Sequence, residues 1–130
     1  MQRIMIVSDT HRRHGNLAEV IYNEAHLDIL IHLGDVEGEE EVIKSIAGCE
    51  TIFIAGNNDF FSPLDREKEI ELGGKKIWLT HGHNYYVSLD LKVIEQEAVA
   101  RGMDIVMFGH THRPVIIVED NITLINPGSI

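Results

Sequence analysis

Residues 3–11 read Arg-Ile-Met-Ile-Val-Ser-Asp-Thr-His, an apolar run that passes directly into polar residues. A short continuous apolar run of this kind is typical of a strand buried on both faces. Asp9 and His11 are two positions apart, so in extended backbone their side chains lie on the same side of the chain. The stretch therefore predicts a buried strand with two candidate metal ligands just after its end.

The same pattern, an apolar strand followed by Asp, Asn or His, returns four more times along the chain. The strands are predicted over residues 28–33, 51–55, 75–80 and 104–108, and the segments after them are Gly34-Asp35, Gly56-Asn57-Asn58-Asp59, His81-Gly82-His83 and Gly109-His110-Thr111-His112. Ligands of open α/β sheets bind just outside the carboxyl ends of the strands. We therefore expect the five polar segments to converge on one site.

Three helical patterns lie between these strands. Asn16 and Glu19 have the spacing of a capping box, which predicts that the first helix begins after Asn16. Residues 39–47 carry apolar side chains at helical spacing and form the second helix. The third helix is expected to follow a cap at Ser88 or Asp90.

Two antiparallel hairpins are predicted in the second half of the chain, with turns at Gly73-Gly74 and Asp120-Asn121. Strands and helices alternate in the first half. Together these patterns predict an α/β fold, a layered sandwich of two mixed β-sheets flanked by helices. The length of 130 residues suits one domain, over residues 1–130.

The composition excludes several classes of protein. The single cysteine, Cys49, excludes a disulfide framework and a site with several thiolate ligands. No apolar run approaches the roughly 20 residues of a membrane span. The net charge of −10 is the opposite of the basic surface that nucleic-acid binding needs. We therefore expect a cytoplasmic protein that has neither a membrane nor a nucleic acid as its partner.

The residue types at the strand ends indicate a metal centre. The candidate ligands are Asp9, His11, Asp35, Asn57, His81, His110 and His112. Oxygen and imidazole donors without thiolates point to Mn, Fe, Ni or catalytic Zn. Seven donors are too many for one tetrahedral ion, whereas two ions that share a carboxylate fit the number. Glycines before Asp35, Asn57 and His110 would let the backbone turn sharply where a side chain would clash.

In this order the five segments resemble the motifs of the calcineurin-like metallophosphoesterase superfamily, and most closely its small single-domain phosphodiesterases, the YfcE-like or MJ0936-like group. The resemblance covers the chain from Asp9 to His112. It implies a binuclear phosphoesterase, more specifically a phosphodiesterase, that activates water for attack on a small phosphate ester. The implied cofactors are two divalent ions, Mn first, with Ni, Fe or Zn as alternatives.

The resemblance also implies which residues hold each ion. One ion would be held by Asp9, His11, Asp35 and His112. The other would be held by Asp35, Asn57, His81 and His110, with Asp35 as the bridge. His83 would lie beside these ligands or contact the substrate, and we assign it a catalytic role.

The third motif departs from the pattern of many family members, which have a histidine where this chain has Asn58. An amide can donate a hydrogen bond but has no proton to give near neutral pH. We place Asn58 and Asp59 among the candidate catalytic residues, with Asp59 expected to orient the ring of a histidine placed at position 58. The departure predicts weak activity on esters with poor leaving groups, because general-acid help is typically worth 10²–10⁴-fold.

Basic and aromatic residues of the motif loops are candidates for substrate binding. Arg12 and Arg113 are expected to bind the anionic substrate, although solvated loop arginines are an equal alternative. Tyr85 and Tyr86 follow the His81 motif, and we expect them to line the substrate cleft rather than only pack.

Two further points stay open at this level. Vps29, a retromer subunit, resembles the same group but serves as a scaffold, so a protein-binding role is the alternative function. The sequence given reaches Asn126-Pro127-Gly128-Ser129-Ile130, inside a motif that family members follow with further strands. We therefore expect a fold without those last strands, in a short variant or a truncated chain. An unpaired edge near Ile125 would then favour a homo-oligomer.

Overall fold

The computed structural model describes residues 2–11, 14–24, 26–59 and 62–129, without the side chain of His14. No helix in these ranges is long and apolar enough to cross a membrane.

The first sheet is parallel and comes from the first half of the chain. Its strands are β1 (Ile4–Val7), β2 (Ile29–His32) and β3 (Glu50–Phe53), in that spatial order. Helix α1 (His14–Tyr22) connects β1 to β2, and α2 (Glu40–Ala47) connects β2 to β3. Because the three strands run parallel, their carboxyl ends meet at one edge of the sheet.

The second sheet is mixed and has five strands. They are β4 (Glu67–Leu72), β5 (Lys75–Thr80), β6 (Ile105–Met107), β7 (Val115–Val118) and β8 (Thr123–Asn126), in the order β4-β5-β6-β8-β7. Both predicted hairpins are present, as the antiparallel pairs β4–β5 and β7–β8. A short 3₁₀ helix (His83–Tyr85) and α3 (Lys92–Ala100) lie between β5 and β6, which are parallel neighbours.

Side-chain alternation along the strands produces four layers. On β2, Ile29 and Ile31 face the second sheet and pack with Ile77 and Leu79 of β5. Leu30 points the other way, toward Leu17 of α1 and Ile43 of α2. On the far side, Trp78 and Val106 of the second sheet pack against Ile94 and Ala98 of α3. The order helix, sheet, sheet, helix confirms the layered α/β fold predicted from the sequence.

Two local predictions were wrong. Helix α1 begins at His14, so Asn16 lies in its first turn and is not the residue before it. A capping pattern reports only on the residues next to it. It does not show where the preceding loop leaves the sheet, so it can misplace the start of the helix. Strand β8 is paired on both sides, with β6 and β7, so Ile125 is not at an edge. The antiparallel hairpin puts β7 outermost, where Ile116 and Val118 are exposed.

Candidate metal centre

The predicted ligands come together at the carboxyl ends of β1, β2, β3, β5 and β6, where the two sheets meet. Two hydrogen bonds join the sheets at this point. His81 Nδ1 lies 2.7 Å from the carbonyl oxygen of Leu33, and the backbone N–H of His110 donates to Asp9 Oδ2 at 3.0 Å. The loops of the first sheet are thereby locked against those of the second.

Two carboxylates form the middle of the site, surrounded by imidazoles. Asp9 Oδ1 lies 3.3 Å from His112 Nε2, 3.6 Å from His81 Nε2 and 3.9 Å from His11 Nε2. Asp35 Oδ2 lies 3.5 Å from His81 Nε2 and 3.9 Å from His11 Nε2. Among the residues that the structure describes, two groups have ligand atoms close enough together to hold a metal ion: Asp9 with His11 and His112, and Asp9 with Asp35 and His81.

The remaining predicted ligands complete the cluster. The Oδ1 atom of Asn57 lies 3.2 Å from His110 Nδ1, and the rings of His110 and His81 are 5.2 Å apart. On the other side, the Nε2 atoms of His11 and His112 are 3.2 Å apart. All seven predicted ligands thus lie in one continuous group.

Two buried atoms in the centre have no hydrogen-bond partner in the described part of the chain. They are Asp9 Oδ1 and His81 Nε2. Because the Leu33 carbonyl can only accept, His81 Nδ1 must carry the ring proton, which leaves a lone pair on Nε2. An unpaired buried acceptor costs free energy unless a cation satisfies it. Divalent ions bound beside these two atoms meet this need, so the residues fit the metal that the pattern implies.

The backbone of the site is strained in a systematic way. Among described non-glycine residues, seven have φ between 45° and 69°, and five of the seven are predicted ligands. These five are Asp9, His11, Asp35, His110 and His112. Each such residue costs on the order of 1–3 kcal/mol, and such strain concentrates at functional sites.

At two positions next to the ligands there is no room for a side chain, so glycine is required. A Cβ on Gly56 would overlap the carboxylate of Asp35, and one on Gly109 would overlap the hydroxyl of Ser8. Neither glycine has a positive φ, so the clash that we expected, and not a left-handed backbone, is the reason for glycine at these two positions. At Gly34 both reasons apply, because φ is 109° and a Cβ would lie 2.6 Å from His81 Nδ1.

Comparison with known proteins agrees with this geometry. A family model described as the calcineurin-like phosphoesterase superfamily domain matches residues 2–130. The chain belongs to this superfamily. The phosphodiesterase MJ0936 of Methanocaldococcus jannaschii is 30% identical over 97% of this chain and 82% of its own length. A second protein of that organism, the probable metallophosphoesterase MJ0623, is 33% identical over 97% of this chain and 67% of its own.

Solved structures share the metallophosphoesterase fold. A predicted phosphoesterase from Streptococcus pneumoniae TIGR4 superposes with a TM-score of 0.82 at 29% identity, covering 99% of this chain and 73% of its own. Vps29 from Entamoeba histolytica, in complex with zinc, gives a TM-score of 0.81 at 22% identity, covering 97% and 73%. At that identity the second comparison supports the fold alone.

Within this metallophosphoesterase site, Asp35 is held by Asn58. The backbone N–H of Asn58 donates to Asp35 Oδ1 at 2.9 Å, and its side-chain amide donates to Oδ2 at 3.1 Å. Burial opposes ionisation of Asp35, but the Asn58 hydrogen bond and the nearby His81 outweigh it and lower the pKa of the carboxyl. Asp35 is therefore a carboxylate, the form that binds a cation.

Asp59 has a different role from the catalytic one we expected. Its two oxygens accept hydrogen bonds from the backbone N–H groups of Asp35, Val36, Glu37 and Gly56, at 2.7–3.2 Å. Both oxygens are directed at the backbone, so Asp59 does not orient the side chain at position 58. It positions the two loops that carry Asp35 and Asn57.

Several supporting residues were missed in the sequence analysis. Asn126 is buried and donates to the carbonyl oxygen of Gly109 and the hydroxyl of Thr111, which fixes the loop of His110 and His112. Ser129 donates to the backbone carbonyl of Asp9 at 2.9 Å. The signal was available, because the Asn-Pro-Gly-Ser segment stands at the end of a buried strand like the other polar segments.

The other residues singled out in the sequence analysis do not lie together. His83 lies beside the cluster, with its ring 5.5 Å from that of His81. Burial lowers the pKa of His83, and the nearby His81 lowers it further. Arg113 lines a cavity next to His110. Arg12 lies outside the described residues. Tyr85 packs edge-on against Trp78, and its hydroxyl donates a hydrogen bond to Glu67. The expectation that Tyr85 lines the cleft was therefore wrong.

Proposed function

We propose that this chain is a metal-dependent phosphodiesterase that uses two divalent ions, Mn²⁺ first, with Ni, Fe or Zn as alternatives. One observation carries the proposal: Asp9 Oδ1 and His81 Nε2 are buried, lack partners among the described residues and face each other across 3.6 Å. A purely structural cluster would satisfy these atoms with hydrogen-bond donors. The donor set of carboxylate, amide and imidazole suits these ions.

The proposed ligand sets share Asp35. Asp9, His11, Asp35 and His112 would hold one ion, and Asp35, Asn57, His81 and His110 would hold the other. The short distance between Asp9 Oδ1 and His112 Nε2 supports the first set, and the contact between Asn57 and His110 supports the second. When bound, such ions lower the pKa of a water molecule and neutralise charge on the phosphate oxygens.

The residues of the chain supply orientation and charge. The Leu33 carbonyl fixes the tautomer of His81, and Asn58 holds Asp35 in place. Arg113 supplies a positive charge near His110, to which a phosphate oxygen can bind. Burial, with His81 next, lowers the pKa of His110, which keeps the ring in the neutral form that binds metal.

The test is to strip the purified protein of metal and reload it with single divalent ions. We expect about two ions per chain by mass spectrometry and hydrolysis of diesters in preference to monoesters after reloading with Mn²⁺. Activity that persists with fewer than two ions bound would contradict the binuclear proposal.

A non-catalytic scaffold remains the second candidate, because Vps29 has the same fold. The presence of a donor at each of the seven predicted positions favours the enzyme. A protein that binds metal but hydrolyses neither monoesters nor diesters would favour the scaffold instead.

A further inference from the structure

A cavity of about 510 Å³ adjoins the candidate metal centre. Its walls come from residues 87–91, which follow the loop of His81, and from Phe108, His110, Thr111 and residues 113–115, in and around the loop of His110. His110 and Thr111 belong to both the cavity and the ligand loop. The cavity is therefore continuous with the position at which a phosphate would bind.

The lining of this cavity is divided about equally between apolar and polar residues. The apolar residues are Val87, Leu89, Leu91, Phe108, Pro114 and Val115. Arg113 is its basic residue and Asp90 its acidic one, so the lining offers no cluster of positive charge for a second phosphate. A cavity of several hundred Å³ that offers apolar side chains together with polar groups is typical of a site for an organic molecule.

Leu89 is the clearest sign of an occupant. Its side chain is 82% exposed at the cavity wall. An apolar group that enters the cavity would bury it, with a gain in free energy that water at this position cannot supply.

We infer that the cavity binds the organic group that stays on the phosphate, and that this group places an apolar face, such as that of an aromatic ring, against Leu89. The inference rests on the proposed function. Water attacks phosphorus, the bond to the leaving oxygen breaks, and the leaving group departs as an alcohol. The remaining ester group stays bound to the phosphate, in the cavity beside His110. Arg113 would then contact the phosphate rather than the organic group.

The test uses two diesters with the same leaving group, bis(4-nitrophenyl) phosphate and methyl 4-nitrophenyl phosphate, on the Mn²⁺-loaded protein. Only the retained group differs, and both reactions release 4-nitrophenol. We expect Leu89→Ser to lower the ratio of the two kcat/KM values about tenfold, since the aryl group loses an apolar contact. Val118→Ser is the matched control, because Val118 is 75% exposed and does not line the cavity, although Val115 of the same strand does.

Binding measurements separate this inference from the proposed function. By calorimetry, diphenyl phosphate should bind the Mn²⁺-loaded protein about tenfold more tightly than dimethyl phosphate, and Leu89→Ser should remove most of the difference. Hydrolysis of both diesters with a ratio unaffected by Leu89→Ser would overturn the cavity assignment alone. If neither diester is hydrolysed or bound, the proposed function fails and the inference fails with it.

Discussion

His32 and His81 are both fully buried, and both lie at the ends of strands near the centre of the molecule. In His32 each ring nitrogen has a partner: the backbone N–H of Gly34 donates to Nδ1, so Nε2 carries the proton and donates to Thr10 Oγ1. In His81 only Nδ1 has a partner among the described residues, and Nε2 faces two carboxylates. Both ring nitrogens of His32 are therefore hydrogen-bonded, whereas His81 has a lone pair on Nε2 that can bind a metal ion.

This difference separates a structural histidine from a candidate ligand better than burial or sequence position can. Both residues end apolar runs, and both are enclosed by the same loops. The useful criterion is whether the hydrogen bonds of the ring leave one nitrogen unprotonated, without a partner and directed at other metal-binding groups. The aspartates of the site divide in the same way, since Asp35 faces the histidines while Asp59 accepts backbone N–H groups.

The largest expected effect comes from the aspartate pair. Asp35→Asn removes the anionic oxygen assigned to both ions, so both metal affinities should fall and kcat should drop by several orders of magnitude. Asp59→Asn is the matched change. It should lower the free energy of unfolding by about 1–3 kcal/mol, because three buried N–H groups and one partly buried N–H group lose a charged acceptor.

Metal content, activity and chemical denaturation of both variants check this prediction. Near-normal turnover of Asp35→Asn at saturating Mn²⁺ would show that Asp35 is not the bridge.

The histidine pair should give the next largest effect. His81→Gln is expected to lower metal affinity by more than about 100-fold, above what the loss of an outer partner of a ligand usually costs. His32→Gln should instead lower the stability of the metal-free protein, while the metal affinity of the folded fraction changes little. Equal losses of metal affinity in the two variants, measured by competition with a chelator, would contradict the distinction between them.

Much of this site could be predicted from the sequence, because each ligand follows an apolar run and such runs become buried strands. The positions of Asp9, Asp35, His81 and His110 after these strands therefore predict that the four side chains meet at one site. The role of Asp59 could not be predicted, because it depends on four N–H groups from two loops that come together only in the fold. The same applies to the identity of the outermost strand, which depends on how the β7–β8 hairpin is inserted beside β6.

Position 58 should have a smaller effect, limited to the leaving group. Asn58 now donates its amide to Asp35, so Asn58→His exchanges that hydrogen bond for a group that can donate a proton. We expect kcat/KM to rise for alkyl esters more than for aryl esters, by at most about 100-fold, since an alkoxide needs protonation and a phenolate does not. A leaving-group series for both proteins tests this, and equal slopes would place the leaving group elsewhere.

The last expected effect is the contribution of His32 to the dependence of stability on pH. Burial lowers the pKa of His32 to about 3, from 6.5 in the unfolded chain. Between these values the unfolded state binds one more proton, so this residue removes stability as the pH falls from about 6.5 toward 3. One proton corresponds to about 1.4 kcal/mol per pH unit.

Replacing His32 by Phe removes this titration, at the cost of the hydrogen bonds to Thr10 and Gly34. The metal-free variant should be less stable than the parent protein at pH 7. The difference between them should shrink by about 1.4 kcal/mol for each pH unit below 6.5, because only the parent has to protonate a buried ring on unfolding. Phe53→Leu is the matched control, since Phe53 packs 5.9 Å from the same ring and carries no titratable group. A His32→Phe difference that stays constant over this range, as the control difference should, would show that the ring is not held neutral by its burial.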